Sequence, residues 1–186
     1  MLRVVSPRTA SPVVRSALIA AAAQLLAQEG PNAFTLRRVA SEAGTTTMAI
    51  YTHFGSMDEL KREVRRKGYG ALADAMAAAP ASGDTRADLE ALCRSYNAFA
   101  RAQPDLYRVM FMEAPLDEAD AAECAGTFAT LVAGAQRYLG ESDGDGTALA
   151  MELWAAGHGI ATLELSALLA PEQADELAES LRAKLL

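Results

Sequence analysis

The chain has 186 residues, of which 51% are hydrophobic, and a formal net charge of −7. This length allows one or two domains with a buried core. The lack of alternating apolar and polar runs between hairpin turns argues against strands, so the predicted fold class is all-α. No stretch predicts a membrane span or a secretion signal. Two isolated cysteines indicate neither a disulfide framework nor a zinc site, and we expect a cytoplasmic protein.

The charge is distributed unevenly along the chain. Residues 1–70 carry ten Lys and Arg against five Asp and Glu, a net charge of +5. Residues 71–186 carry seven and nineteen, a net charge of −12. This split is typical of a polyanion-binding end attached to an acidic body. Charge alone is equally compatible with an uneven surface that has no partner.

The first helix is predicted to start at Ser11, a capping residue followed by proline, and to stop at Gly30-Pro31. Residues 1–10 are polar, and we expect them to be disordered. Between the start and stop signals, apolar residues recur at helical spacing and form one stripe: Val14, Leu18, Ala21 and Leu25.

Two short helices are predicted next, joined by a tight turn that contains a glycine. The first covers about residues 36–43 and has Thr35 as its capping residue. The second is capped by Thr46 and places Ile50 and Phe54 on one face. Two short helices joined in this way form a helix-turn-helix.

A longer helix follows, opened by a capping box of Ser56 and Glu59 and extending to about residue 79. Leu60, Val64 and Leu72 are predicted to point inward. Prolines and glycines then divide the rest into helices at about 85–102, 104–113 with 117–139, 147–169 and 172–185. The predicted organisation is a head at 1–55, a connecting helix at 56–80 and a body at 81–186.

The stretch from Phe34 to Leu60, FTLRRVASEAGTTTMAIYTHFGSMDEL, resembles the DNA-binding domain of the TetR family of repressors. With the preceding helix, the resemblance covers roughly the first 65 residues. A second resemblance lies in Pro104–Phe111 and in Trp154 with His158-Gly159, which look like the regulatory-domain variant named for its Trp-His-Gly motif. The resemblance implies a three-helix DNA-binding domain followed by a helical bundle for ligand binding and dimerisation.

Two positions depart from the family pattern. The loop before the fourth helix often carries a lysine that contacts phosphate, and here it reads Gly55-Ser56-Met57. The third residue of the recognition helix is often glycine or proline, and here it is Met48. Phosphate contacts are therefore expected to shift towards Tyr51, Lys61 and the helix N-terminus.

The second short helix of a helix-turn-helix enters the major groove of DNA. We expect Thr46, Thr47, Met48 and Thr52 to face the groove, where hydroxyls bond base edges and a thioether contacts a thymine methyl. Tyr51 is the strongest candidate for a phosphate contact by resemblance. The remaining predicted DNA contacts are Thr35, Arg37, His53 and Lys61.

The alternative for the threonines is capping and solvent exposure, for Tyr51 a packed surface ring, and for His53 packing at the helix end.

In the body, the predicted ligand-binding residues are aromatic or polar groups that suit a pocket inside a helical bundle. The alternative for these residues is ordinary core. The acidity of the body makes a cationic ligand a secondary expectation. The predicted ligand contacts are Phe99, Tyr107, Phe111, Phe128, Trp154 and His158.

No nucleophile elbow, Walker loop or His-Glu-x-x-His motif occurs in the sequence. We therefore expect no enzyme, no catalytic residue, no cofactor and no metal.

The last two helices are predicted to pair with their copies in a homodimer. Their apolar faces supply the predicted interface: Leu149, Leu153, Ile160, Leu163, Leu168, Leu177 and Leu181.

The sequence thus predicts a ligand-responsive transcriptional regulator, most readily a repressor that a small molecule releases from a palindromic DNA operator. The alternative is a helical small-molecule-binding or interaction protein without sequence-specific DNA binding. Met57, in place of the lysine, is the feature that favours this alternative.

Overall fold

The computed structural model describes residues 11–112, 118–140 and 144–186. Within these ranges the chain forms helices and no strand, which confirms the all-α prediction. None of the described helices combines the length and the apolar character needed to cross a membrane. The disorder predicted for residues 1–10 lies outside the described residues. The helices are α1 Pro12–Glu29, α2 Leu36–Glu42, α3 Thr47–Phe54, α4 Met57–Ala77, α5 Thr85–Ala102, α6 Pro104–Phe111, α7 Glu118–Leu139, α8 Gly146–Leu165 and α9 Pro171–Leu185.

The largest difference from the predicted boundaries is the end of α8, four residues earlier than expected. Ala167 adopts a positive φ of 56°. The backbone N–H groups of Ala167 and Leu168 bond back to the carbonyls of Glu164 and Leu163, both at 2.9 Å. A residue in the left-handed region ends a helix. The sequence pattern missed this end because alanine favours helix and rarely takes a positive φ.

Side-chain caps support two of the three predicted helix starts around the helix-turn-helix. The hydroxyl of Ser56 accepts from the Glu59 amide at 3.0 Å, and the hydroxyl of Thr35 accepts from the Arg38 amide at 3.4 Å. Thr46 occupies the position before α3 with an extended backbone, but its side chain makes no cap hydrogen bond. The predicted capping role of Thr46 is therefore wrong, because its hydroxyl does not turn back towards the first amides of α3.

One hydrophobic core extends from the head into the body. It includes Val39 and Ile50 of the two short helices as well as Leu89 and Leu153 of the body. The inward positions predicted on α4 are confirmed, because Leu60, Val64 and Leu72 are all buried. α4 is the helix that both parts share, since it packs against α1, α3, α5, α6 and α7.

Two features fasten α4 to its neighbours. Arg65 of α4 forms a buried ion pair with Asp120 of α7, and both side chains are only 6% exposed. The Arg65 Nε also donates to the carbonyl of Val109, at 3.3 Å. Three residues further on, α4 crosses α6 so closely that a Cβ at Gly68 would lie 2.4 Å from Sδ of Met110. The helix that carries the head is thus held by charge on one side and by close packing on another.

Candidate DNA-binding surface and internal cavity

α3 has one buried face and one exposed face. Ile50 and Phe54 are buried beneath it. On the other side Met48 is 68% exposed and Tyr51 is 51% exposed, and Thr52 is exposed beside them. Large side chains at such exposure contribute nothing to this chain's own core. The outer face of α3 therefore presents a thioether, a phenol and a hydroxyl to solvent.

The other predicted groove residues lie next to this face. Thr46 is exposed and Thr47 is half-buried at the start of α3. The Thr52 hydroxyl donates to the carbonyl of Met48 at 2.9 Å, so towards a partner it acts as an acceptor. Thr35 and Arg37 are exposed at the start of α2. The structure thus brings together the predicted contact residues of the two short helices.

The remaining two predicted contacts lie at the edge of this surface. His53 is half-buried with its ring centroid 6.0 Å from that of Phe54, which agrees with packing at the helix end. Lys61 is half-buried on α4. Met57 packs against the hydrophobic core rather than extending into solvent, so its side chain supplies no polar contact in the place of the family's lysine.

The body contains a cavity of about 260 Å³ that is lined by α4, α5, α6, α7 and α8 and open on one side. Tyr69, Leu72 and Met76 of α4 form one wall, together with Tyr96 of α5 and Phe111 of α6. The opposite wall comes from α7 and α8: Ala121, Cys124, Ala125, Thr127, Phe128, Leu131, Met151 and Trp154.

Three of the six predicted ligand contacts line this cavity: Phe111, Phe128 and Trp154. The rings of Phe128 and Trp154 lie 5.8 Å apart. Whether a ligand binds them stays a prediction. The placement shows that these aromatic side chains surround a space as well as contribute to the core.

The other three predicted contacts do not line this cavity, and a role for them in ligand binding stays a prediction. Phe99 is buried in the core, on another part of α5. Tyr107 and His158 lie behind the cavity wall, in contact with the ring of Phe111 at centroid distances of 4.9 and 5.2 Å. The residue types were suitable, but the helix faces direct these side chains away from the space.

Tyr107 and His158 instead form a polar triad with Tyr96. The Tyr107 hydroxyl lies 2.7 Å from Nδ1 of His158, and the Tyr96 hydroxyl lies 3.0 Å from that of Tyr107 and 3.3 Å from the same Nδ1. Burial lowers the pKa of His158 and raises the pKa of Tyr96 to about 12. Burial also raises the pKa of Tyr107. The triad is therefore uncharged at neutral pH, and the alternative of a satisfied histidine describes His158 better than a ligand contact does.

The α4 residues of the wall were not among the predicted ligand contacts, because α4 was predicted to connect the head to the body. A signal was present, since Tyr69, Leu72 and Met76 continue the inward stripe of α4 at i, i+3 and i+7 beyond the residues that support the head. Tyr96 belongs to the same aromatic set as the predicted residues. For Cys124, Thr127 and Met151, no feature of the sequence distinguishes a residue that lines the cavity from one that belongs to the hydrophobic core.

The predicted dimer residues fall into three groups, which are buried, exposed and half-buried. Leu149, Leu153 and Ile160 are buried within the single chain, so their prediction as contacts to a partner is corrected. The apolar stripe chosen on α8 is its inner face, which packs against α5, α7 and α9. Leu163 is 37% exposed, and Leu168 in the following turn is 71% exposed. Two more, Leu177 and Leu181, are half-buried against Ile160.

Two short helices with an exposed outer face, attached through a long helix to a helical body, define a helix-turn-helix regulator. Comparison with known families agrees. Residues 18–64 match the model of bacterial regulatory proteins of the tetR family, and residues 89–185 match the tetracyclin repressor-like C-terminal domain. The chain belongs to the TetR family of transcriptional regulators. The matching body model carries this general description, and the Trp-His-Gly variant stays a prediction.

Individual relatives support the same assignment. The chain is 27% identical over 158 residues to the uncharacterized HTH-type transcriptional regulator Rv0681 of Mycobacterium tuberculosis, covering 82% of this chain and 70% of that protein. The fold of this chain is similar to that of a transcriptional regulator from Rhodococcus sp. Rha1, with a TM-score of 0.79 and 22% identity. The match covers 92% of this chain and 95% of that one. The fold is also similar to that of the TetR family regulator PfmR from Thermus thermophilus, with a TM-score of 0.73, 17% identity and 97% of each chain covered.

Proposed function

We propose that this regulator is a repressor that binds a palindromic DNA operator as a homodimer and leaves it when a small molecule binds in the body. The observation that carries the DNA-binding part is the outer face of α3. Met48 and Tyr51 are large and exposed there, beside the hydroxyls of Thr46, Thr47 and Thr52. Short hydroxyls and a thioether suit base edges in a major groove, and a phenol at the rim suits a phosphate oxygen.

The dimer follows from apolar side chains left exposed near the end of the chain. Leu163 lies exposed near the end of α8, and Leu168 lies exposed in the turn to α9. A twofold axis through this region places two heads on one side. Two heads related in this way require half-sites separated by about one helical turn of DNA or a multiple, roughly 34 Å or more.

Release is explained by a shift between two arrangements of the heads. A molecule that binds more tightly to the arrangement unsuited to DNA moves the population towards that arrangement. Coupling of this kind is typically about 1–3 kcal/mol, which weakens operator binding by roughly 5–150-fold. The cavity has the required position, because α4 forms one of its walls and also carries the head.

Selection from random duplex DNA, followed by binding measurements at several salt concentrations, tests the proposal. We expect a palindromic site and a linear fall of log affinity with log salt concentration, because several phosphates must be contacted. Thr47→Ala should change the base preference, whereas the matched control Thr85→Ala, at the exposed start of α5, should leave it unchanged.

The inward packing of Met57 favours one competing function, a helical small-molecule-binding or interaction protein that does not select a DNA sequence. The same selection separates the two. Recovery of no palindrome, together with weak binding that is equal for all duplexes, contradicts the repressor and supports the competing function.

Sedimentation tests the assembly. We expect a dimer at micromolar concentration and a monomer for Leu163→Asp, because a charge buried without a partner costs several kcal/mol. Ala73→Asp, on an exposed position of α4, is the matched control and should stay dimeric. A stable wild-type monomer would contradict this arrangement.

A further inference from the structure

The lining of the cavity is uncharged. The described residues that line it are aliphatic, aromatic, hydroxyl or thiol side chains. Burial raises the pKa of the Tyr69 hydroxyl and of the Cys124 thiol, and it raises the pKa of Tyr96 to about 12. These three groups therefore stay protonated at neutral pH, and the wall presents no ionised group to a bound molecule.

A buried ion pair and a neutral histidine lie beside the cavity. Arg65 lies one turn before Tyr69 on α4, and Asp120 lies one turn before Cys124 on α7, and the two are bonded to each other with both side chains buried. His158 contacts the rings of Phe111 and Trp154, and burial lowers its pKa. An ion of either sign would leave water without gaining a counter-charge, which is strongly unfavourable.

The shape of the cavity limits the size of its occupant. Its volume of about 260 Å³ lies just below the range of pockets that hold drug-sized molecules, roughly 300–1,000 Å³. Aromatic rings bound it on several sides, with Phe128 and Trp154 inclined at 59° to each other. The side chains of Ala121, Ala125 and Met151 line the cavity and are exposed, so the opening lies between α7 and α8.

We infer that the cavity takes one uncharged, mostly apolar molecule about the size of two linked aromatic ring systems and discriminates against anions and cations. This conclusion rests on the proposed function only in treating the occupant as the effector. It differs from the cationic ligand that the acidity of the body suggests, because no acidic residue is among the described lining residues and the buried Asp120 is paired with Arg65.

Two dyes with the same ring system provide the test. N-phenyl-1-naphthylamine is uncharged, and 8-anilinonaphthalene-1-sulfonate adds one negative charge to the same frame. Trp154 is the only tryptophan and lies in the cavity wall, so energy transfer from it reports dye bound to the protein, and the variants below locate the dye. We expect transfer to the uncharged dye and at least about tenfold weaker binding of the sulfonate, a difference of about 1.4 kcal/mol.

Matched variants locate the dye. Ala125→Phe should fill the opening and weaken binding of the uncharged dye about tenfold or more, and Ala121→Phe provides a second filling variant on the same rim. Ala122→Phe makes the same change at an exposed position of α7 that does not line the cavity, and it should leave binding within about twofold. Circular dichroism verifies that each variant is folded.

Three results would overturn the inference: no transfer to the uncharged dye, equal affinity for the sulfonate, or unchanged binding in both folded filling variants. The titration uses the full chain without DNA. A protein that binds the uncharged dye but selects no operator contradicts the proposed function and leaves the ligand class standing. A protein that selects an operator but fails the dye test contradicts the ligand class and leaves the DNA-binding part of the proposed function standing.

Discussion

The head and the body position their candidate functional residues in different ways. In the head, the contact residues on the two short helices lie between Thr35 and His53, and most of them are exposed. In the body, the cavity wall is assembled from five helices and from residues as distant as Tyr69 and Trp154. A surface site depends on local helix geometry, whereas an enclosed site depends on how distant helices pack. Substitutions in the head should therefore change binding, and substitutions around the cavity should first change stability.

The largest difference is expected at the buried ion pair. Arg65→Met should lower the free energy of unfolding by about 3–5 kcal/mol, because the carboxylate of Asp120 is then left buried without its guanidinium. Urea denaturation measures this loss. Arg66→Met changes an exposed arginine one position along and should cost less than about 1 kcal/mol.

Combining Arg65→Met with Asp120→Leu sharpens this prediction. Removal of both charges should restore part of the stability that the single change loses, because no buried charge remains. If Arg65→Met alone were as stable as the Arg66→Met control, the ion pair of Arg65 and Asp120 would not hold α4 in place.

A smaller effect, confined to binding, is expected in the head. Tyr51→Phe removes one hydroxyl from the exposed face of α3 and should weaken binding to all DNA sequences by about fivefold, or about 1 kcal/mol. Unfolding should be unchanged within about 0.5 kcal/mol, as for other surface substitutions. Fluorescence anisotropy at fixed salt measures the affinity. Altered preference among operators, in place of a uniform loss, would assign Tyr51 to base contact.

The smallest effect concerns pH. Burial lowers the pKa of His158, so the unfolded chain binds a proton more readily than the folded chain does. The stability that this histidine supports is present above the unfolded pKa of about 6.5 and is lost as the pH falls below it. Denaturation at pH 7.5 and 5.5 should show a larger loss for the wild type than for His158→Gln.

His158→Gln retains a hydrogen-bonding group beside Tyr96 and Tyr107, and it removes the titration. Carboxylates elsewhere affect both proteins equally, so the difference between the two isolates the histidine. Equal losses in the two proteins would show that His158 is not buried in its neutral form.

The parts predicted from sequence are those that local rules determine. Helix starts at Thr35 and Ser56, the inward residues of α4 and the exposed position of Tyr51 follow from caps and periodicity. The residues lining the cavity do not follow, because Tyr107 and Phe111 are both aromatic and only the packing of α6 puts one of them behind the wall. In the same way, the leucines of α8 identify an apolar face without showing whether this chain or a second one covers it.

α4 packs closely against α6 at Gly68, and this contact divides the helix into two arms. Met76, at the cavity, lies eight residues beyond the crossing, and Met57, at the head, lies eleven residues before it. At 1.5 Å per residue, the two arms measure about 12 and 17 Å. A tilt that moves the cavity end by about 1 Å therefore swings the head end by about 1.4 Å in the opposite direction. In the proposed twofold dimer the two heads would move symmetrically, and the proposed occupant is then expected to change their spacing by more than it displaces the wall.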